Sequence, residues 1–366
     1  MKHDWKASIE RVRATFMGET PDRVPLFFLV SEAIGTRISG LTVRELLRNP
    51  RELAEESIHA GEVLGNDILD VCLSPYLGPY EAVAYAKVNG KIDKIVWKDY
   101  DAPFIREGEL CKTEKDIENL VIPEHAKIEP WPTILDAMAI VQEKTGVMPT
   151  FAPSLTWSNI QMLRGSQAYL DILNNPDLIL KLCDKVYASQ WDYYEEFCKR
   201  FGKPTSMFNC QYAFNKHMLS FQDAWKFEGQ FVNKFCRETG LSLIIHNCGF
   251  EPYWDELLNK HKEEGVEVIA VNGNNPRDLD EWVQFRKKFP DVVIIGASIF
   301  VLGELRDGTA KEVEERVKQN IIKLAPYRRF IVCPVCDLPW RVSLSNIFAV
   351  REAVEKYGRY PIKVKE

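Results

Sequence analysis

Residues 241–249 read LSLIIHNCG, an apolar run from Leu241 to Ile245 that ends in His246-Asn247-Cys248-Gly249. A short run that is apolar at nearly every position reads as a strand buried on both faces, the pattern of a parallel sheet. Residues i and i+2 of a strand point the same way, so His246 and Cys248 can face one point in space. Seven more such runs can be picked out, at residues 25–30, 67–73, 147–153, 204–210, 265–273, 291–298 and 328–336. Segments with helical periodicity lie between them, for example Val43 to Leu64, Ala168 to Phe201, Phe221 to Thr239 and Val313 to Leu324. Eight buried strands alternating with helices predict an α/β fold closed as a (β/α)8 TIM barrel. The runner-up, an open doubly wound sheet, carries fewer strands and a Gly-rich phosphate loop, and no such loop is present.

The 366 residues read as a single barrel domain, 1–366. Asn89-Gly90, flanked by Ala82–Lys87 and Ile92–Trp97, predicts a β-hairpin after the second strand. Residues 98–130 are mixed and polar, with Pro103, Pro123 and Pro130, so 74–130 is expected to be an inserted hairpin followed by an extended excursion. Asp171 to Asp177, with Pro176 suited to a first helical turn, predicts a loop that starts a helix.

Net charge is −6, with 27% charged residues of both signs. No Lys/Arg block stands out, so no nucleic acid or anionic membrane is expected as a partner. No apolar run approaches the roughly 18 residues of a membrane span. The polar start Met1-Lys-His-Asp-Trp-Lys6 has no signal-peptide core, and a cytoplasmic location is expected. Nine cysteines, an odd number mostly in apolar segments, read as reduced thiols rather than a disulfide scaffold.

Barrel enzymes carry their sites at the C-terminal ends of the strands. His246 and Cys248 close the fifth run, Cys210 the fourth, and Cys333-Pro-Val-Cys336 the eighth. His246, Cys248 and Cys336 make a His/Cys/Cys set with a fourth position open, the layout of a catalytic zinc site. Zinc suits imidazole and thiolate better than magnesium or calcium, which take oxygen ligands. The bland alternative is a core histidine with packing thiols. Cys333 and Cys336 could also be a redox couple or half of a structural zinc site. The first normally opens a helix, and the second lacks another Cys-x-x-Cys. His217, after the fourth run, reads as a surface or capping residue. Aromatic residues cluster at the same end: Phe27 and Phe28, Tyr76 and Tyr80, Trp157, Tyr212 and Trp340. Of Phe27 and Phe28, one must point outward to helices. Phe27, Tyr76, Trp157, Cys210, Tyr212 and Trp340 are the expected substrate-binding residues, suited to a flat apolar or aromatic compound.

Across nearly its whole length the chain resembles the uroporphyrinogen decarboxylase superfamily, specifically its zinc-dependent corrinoid methyltransferase branch. The resemblance rests on Gly18-Glu-Thr-Pro21-Asp22-Arg23-Val24-Pro25 before the first strand, Gly65-Asn-Asp67 before the second, and Asn175-Pro176. It rests further on His246-Asn-Cys248-Gly249, and on Val335-Cys336-Asp337-Leu-Pro339 followed by Ser345-Asn346-Ile347 and Ala349. It implies the barrel fold, zinc on His246, Cys248 and Cys336, and Cys333 beside the site rather than in it. The metal-free decarboxylases of the superfamily hold substrate carboxylates with arginines near the first strand. Here Pro25 is followed by Leu-Phe-Phe-Leu-Val, without an arginine cluster.

The expected reaction is O-demethylation. The methyl of a methoxylated, aromatic small molecule would pass to the cobalt of a corrinoid (cobalamin) carried by a partner protein. The alternatives are methyl transfer from a methylated corrinoid to a coenzyme M-like thiol, a metal-free lyase on the same barrel, and a non-catalytic binding protein. A homodimer is an assembly that nothing in the sequence opposes.

Overall fold

The computed structural model describes residues 3–73, 77–106 and 108–362. Seven strands are named within them: β1 Ile95–Val96, β2 Phe104–Ile105, β3 Ser206–Cys210, β4 Ser242–Asn247, β5 Val268–Gly273, β6 Val293–Gly296 and β7 Phe330–Ile331. β3 to β7 form one parallel sheet in chain order, with helices between them. These are the fourth to eighth apolar runs.

The first three runs do not join as ladder strands, so the ladder does not close into a barrel. They nonetheless extend the ring. Leu26 pairs in parallel with Val332, and Phe208 N–H donates to the Phe151 carbonyl at 2.9 Å. Thr150 hydrogen-bonds Asp70 between the second and third runs. The missing ladder has a local cause. Asp67 Oδ2 and Asn66 Oδ1 accept from the N–H groups of Leu26 and Phe28, at 2.8 and 2.9 Å, and Asn66 Nδ2 donates to the Phe28 carbonyl at 3.0 Å. Side chains thus take the backbone bonds a strand partner would make, and Pro149 and Pro153 lack the N–H a ladder needs. Asp67 also accepts from Ser8, Arg11 and Arg23, which ties the N-terminal helix Trp5–Met17 to the start of the second run.

Side chains alternate as the strand period requires. Phe27, Leu29, Ala270, Val293, Ile295, Ile331 and Cys333 pack in a cluster inside the ring, with Ile68 and Ile244 against it. Phe28, Leu243, Ile245, Val271, Ile294 and Val332 belong to the larger core shared with the helices. Phe27 therefore points in and Phe28 points out.

The expected hairpin at Asn89-Gly90 is not formed. Residues 82–87 lie in the helix Gly78–Val88, buried from Gly78 to Ala86. Alanine-rich sequence favours helix over strand, and full burial hides the amphipathic period that would have revealed it. Asn89-Gly90 is its C-terminal stop: Gly90 is left-handed at φ 67°, and Asn89 Nδ2 donates to the Tyr85 and Val121 carbonyls. The antiparallel pair present here instead joins β1 to β2. Asp171 also differs from expectation, lying inside the helix Gln167–Asn174, with Asn175 alone between it and the helix Pro176–Phe201. No helix among the described residues is long and apolar enough to cross a membrane.

Candidate metal centre

Parallel register sets Cys210 level with His246, and His246 level with Asn272. His246 closes β4 on its inner face, and Cys248 follows two residues later. Asn247, between them, holds the turn. Its Nδ2 donates to the carbonyls of Gln211 and Phe214, at 2.9 and 3.0 Å, and its Oδ1 accepts from Gly249 N–H at 2.9 Å. Gly249 is required by space, since a Cβ there would sit 2.7 Å from the Asn215 side chain. Cys336 arrives after β7 in a left-handed conformation, φ 77°, which a non-glycine residue adopts only when its surroundings enforce it. One ligand atom from each of His246, Cys248 and Cys336 lies within 4.8 Å of the others.

The imidazole is oriented from behind. Asn272 Nδ2 donates to the Ile295 carbonyl at 2.9 Å, which leaves Oδ1 facing His246 Nδ1 at 2.6 Å. Nδ1 therefore carries the hydrogen, and the Nε2 lone pair turns toward the two thiols. His246 is 2% exposed, whereas Cys248 and Cys336 are half-buried.

The two thiols share a hydrogen bond and titrate apart. That bond from Cys336 draws the Cys248 thiol below its ordinary value, against burial. The same bond, now with Cys248 as the partner, joins burial in pushing Cys336 up. For His246, burial is the largest influence and works against the charged form, but the bonds to Cys336 and Asn272 and the nearby negative charges together outweigh it, and the net shift is upward. A divalent metal bound there would take neutral imidazole and thiolates as ligands and release the protons they carry. A buried imidazole with a fixed tautomer and two convergent thiols fits zinc: soft donors, three of them, and a backing acceptor on the histidine.

Cys333 stands apart from this set. It is fully buried, 3.7 Å from Asn272 Nδ2, and hydrogen-bonds the carbonyl of Pro334. His217 is exposed and meets Glu251 at 3.4 Å, as a surface residue. Of the expected substrate-binding residues, Cys210 is buried at the end of β3, and Tyr212 follows it half-buried. Phe27 packs inside the ring. Trp157 is fully buried, its ring 5.2 Å from that of Tyr169. Trp340 is 41% exposed and lines a cavity of about 800 Å³ with Glu32, Trp97, Tyr100 and Asp337. Tyr76 lies outside the described residues. One contributor went unnoticed in the sequence, Asn272. Asn272 lies near the end of the sixth run, one position before Gly273, a strand-end polar residue of the same kind as His246.

The family model for uroporphyrinogen decarboxylase (URO-D) matches residues 7–357. Among solved structures, a methyltransferase from Methanosarcina mazei superposes with a TM-score of 0.72 at 14% identity, over 95% of this chain and 98% of that one. That likeness is one of fold. No curated protein matches the chain. A family match running from the N-terminal helix to the last one, over the parallel sheet and the strand-end cluster, makes this chain a member of the uroporphyrinogen decarboxylase family.

Proposed function

We propose that the protein is a zinc-dependent methyltransferase that moves a methyl group from a methoxylated, aromatic compound to the cobalt of a corrinoid protein. The observation that carries this reading is the convergence of His246, Cys248 and Cys336 within 4.8 Å at the strand-end face. Zinc bound there would supply a Lewis acid for the oxygen that loses its methyl group. The chain's own residues do the rest. Asn272 holds the His246 tautomer, Asn247 and Gly249 hold the turn that presents Cys248, and the packed ring interior beneath excludes water from below. The similarity in fold to a methyltransferase agrees with this reading.

Exposed apolar side chains follow the ends of three strands on that face: Phe250 at 77%, Leu302 at 64% and Trp340 at 41%. Such a rim supports docking of a macromolecular partner, here the corrinoid protein. The first run, Leu26-Phe-Phe-Leu-Val30, offers no arginine cluster for a substrate carboxylate, which speaks against a metal-free lyase.

The test is a methyl-donor screen with reduced cobalamin, following methylcobalamin by absorbance, with zinc measured in the same protein. Methoxybenzoates, methanol, methylamines and methyl thiols are offered in parallel. Formation with methoxy-aromatics and near-stoichiometric zinc is the expected result. Turnover only toward a thiol acceptor selects the thiol methyltransferase. Zinc-free protein that releases carbon dioxide from a carboxylated substrate overturns both.

A further inference from the structure

All nine cysteines are free, and they fall into two groups. Cys72, Cys111, Cys183, Cys210, Cys236 and Cys333 are buried, which keeps oxidants in solution from their sulfurs. Cys198, Cys248 and Cys336 reach solvent. Cys198 lies near the end of the helix Pro176–Phe201, which leads into the start of β3, so it belongs to the opposite end of the sheet. Cys248 and Cys336 are thus the two solvent-reaching thiols of the strand-end face. Their sulfurs lie within 4.8 Å of each other and share a hydrogen bond.

A disulfide holds its sulfurs about 2 Å apart, so these two have to approach by no more than about 3 Å. Neither residue lies within a strand. Cys248 is in the turn after β4, and Cys336 is in the segment between β7 and the helix Leu344–Tyr357. Side-chain rotation and a small loop movement therefore close the gap without breaking the sheet. Cys333, in the same Cys-x-x-Cys motif, is the wrong partner: it is fully buried and donates to the Pro334 carbonyl at 3.5 Å. The form of cysteine that binds zinc is the thiolate. A disulfide removes two of the three convergent ligands and leaves His246 alone, while bound zinc occupies both sulfurs. Metal and disulfide are mutually exclusive states of one pair.

We propose that Cys248 and Cys336 form a redox-sensitive pair, joined in a disulfide by peroxide when zinc is absent and protected as ligands when it is bound. One thiol attacks the peroxide, the O–O bond breaks, and a sulfenic acid and one water result. The second thiol attacks that sulfur, the S–S bond forms, and a second water leaves. Two thiols lose two electrons and two protons, and one peroxide is reduced to two waters. A dithiol reductant reverses the step. That zinc is the protecting metal rests on the function proposed above; that the two sulfurs couple rests on their placement alone.

The test treats the full chain with hydrogen peroxide in two samples, one stripped by a chelator and one loaded with zinc, with zinc measured in both. Thiols are counted after denaturation, and peptides are mapped by mass without reduction. The stripped protein is expected to lose two thiols and two hydrogens of mass and to yield the linked Cys248 and Cys336 peptides, all restored by dithiothreitol. The loaded protein should react about tenfold more slowly or less. Cys333→Ala should keep the cross-link and Cys336→Ala should lack it; the peptide map of the wild type decides the pairing if Cys336→Ala misfolds. A link between Cys333 and Cys336 overturns the inference. So does oxygen added to either sulfur without a link, or no loss of thiols. Equal rates with and without bound zinc overturn the protection. A chain that takes up no zinc yet forms the Cys248–Cys336 link would overturn the metal reading and leave the sulfur pair standing.

Discussion

Asn272 Oδ1 and His246 Nδ1 lie 2.6 Å apart across two neighbouring strands, and this contact decides which imidazole nitrogen faces the thiols. Because Asn272 Nδ2 is committed to the Ile295 carbonyl, the amide cannot flip without losing that bond. Asn272→Ala should therefore weaken zinc binding by roughly 10- to 100-fold while the circular dichroism spectrum stays that of the folded protein. Asn272→Asp, which keeps the acceptor, should retain most of the affinity. Competition with a chromophoric chelator reads both; equal affinities in Asn272→Ala and wild type would remove Asn272 from the metal centre.

The three convergent side chains were legible in the sequence because strand period and strand ends are local signals. His246 and Cys248 are two residues apart, and Cys336 closes the last run. Asn272 was not, since its meaning depends on register between strands 26 residues apart. Five of the eight runs form ladder strands. The first three failed as strands where side chains of Asn66 and Asp67 replace the ladder and prolines interrupt it, effects that hydrophobicity does not record. Trp157 shows the same limit. Its position after a run resembles that of Trp340, yet one ring is buried in the core and the other lines a cavity.

The geometry makes Cys333 and Cys336 unequal although they share a Cys-x-x-Cys motif. Cys336 belongs to the convergent set, and Cys333, buried against Asn272, does not. Cys333→Ala should keep near-stoichiometric zinc at a stability cost of about 1 kcal/mol. Cys336→Ala should lose the metal. Elemental analysis after gel filtration distinguishes them, and zinc loss in both variants would make the motif a ligand pair.

Gly296 ends β6 at φ 119°, where an added Cβ would stand 2.2 Å from Val335 Cγ2 and 2.7 Å from the Gly273 carbonyl. Val335 precedes Cys336, so the strain falls on the approach to the candidate metal centre. Gly296→Ala should cost about 1–3 kcal/mol in urea unfolding, from backbone strain and overpacking. It should also lower zinc affinity. A variant with unchanged stability and affinity would show that the eighth run shifts freely past β6.

Away from the site, His125 sits fully buried between Glu81 and Asp192, each 2.8 Å from one ring nitrogen. Burial opposes its charge, but the Glu81 charge and the bonds to both carboxylates prevail and raise its pKa from 6.5 to about 9. A folded-state pKa above the unfolded one means stability that is full below pH 6.5 and lost as pH rises through about 9. The rise corresponds to a stabilisation on the order of 3 kcal/mol. Thermal unfolding between pH 6 and 10 should show that decline for wild type. His125→Gln should be less stable at neutral pH, because it leaves Glu81 without its charged partner, and should lack the His125 share of the decline. The same pH dependence in wild type and His125→Gln would show that His125 is neutral in the fold.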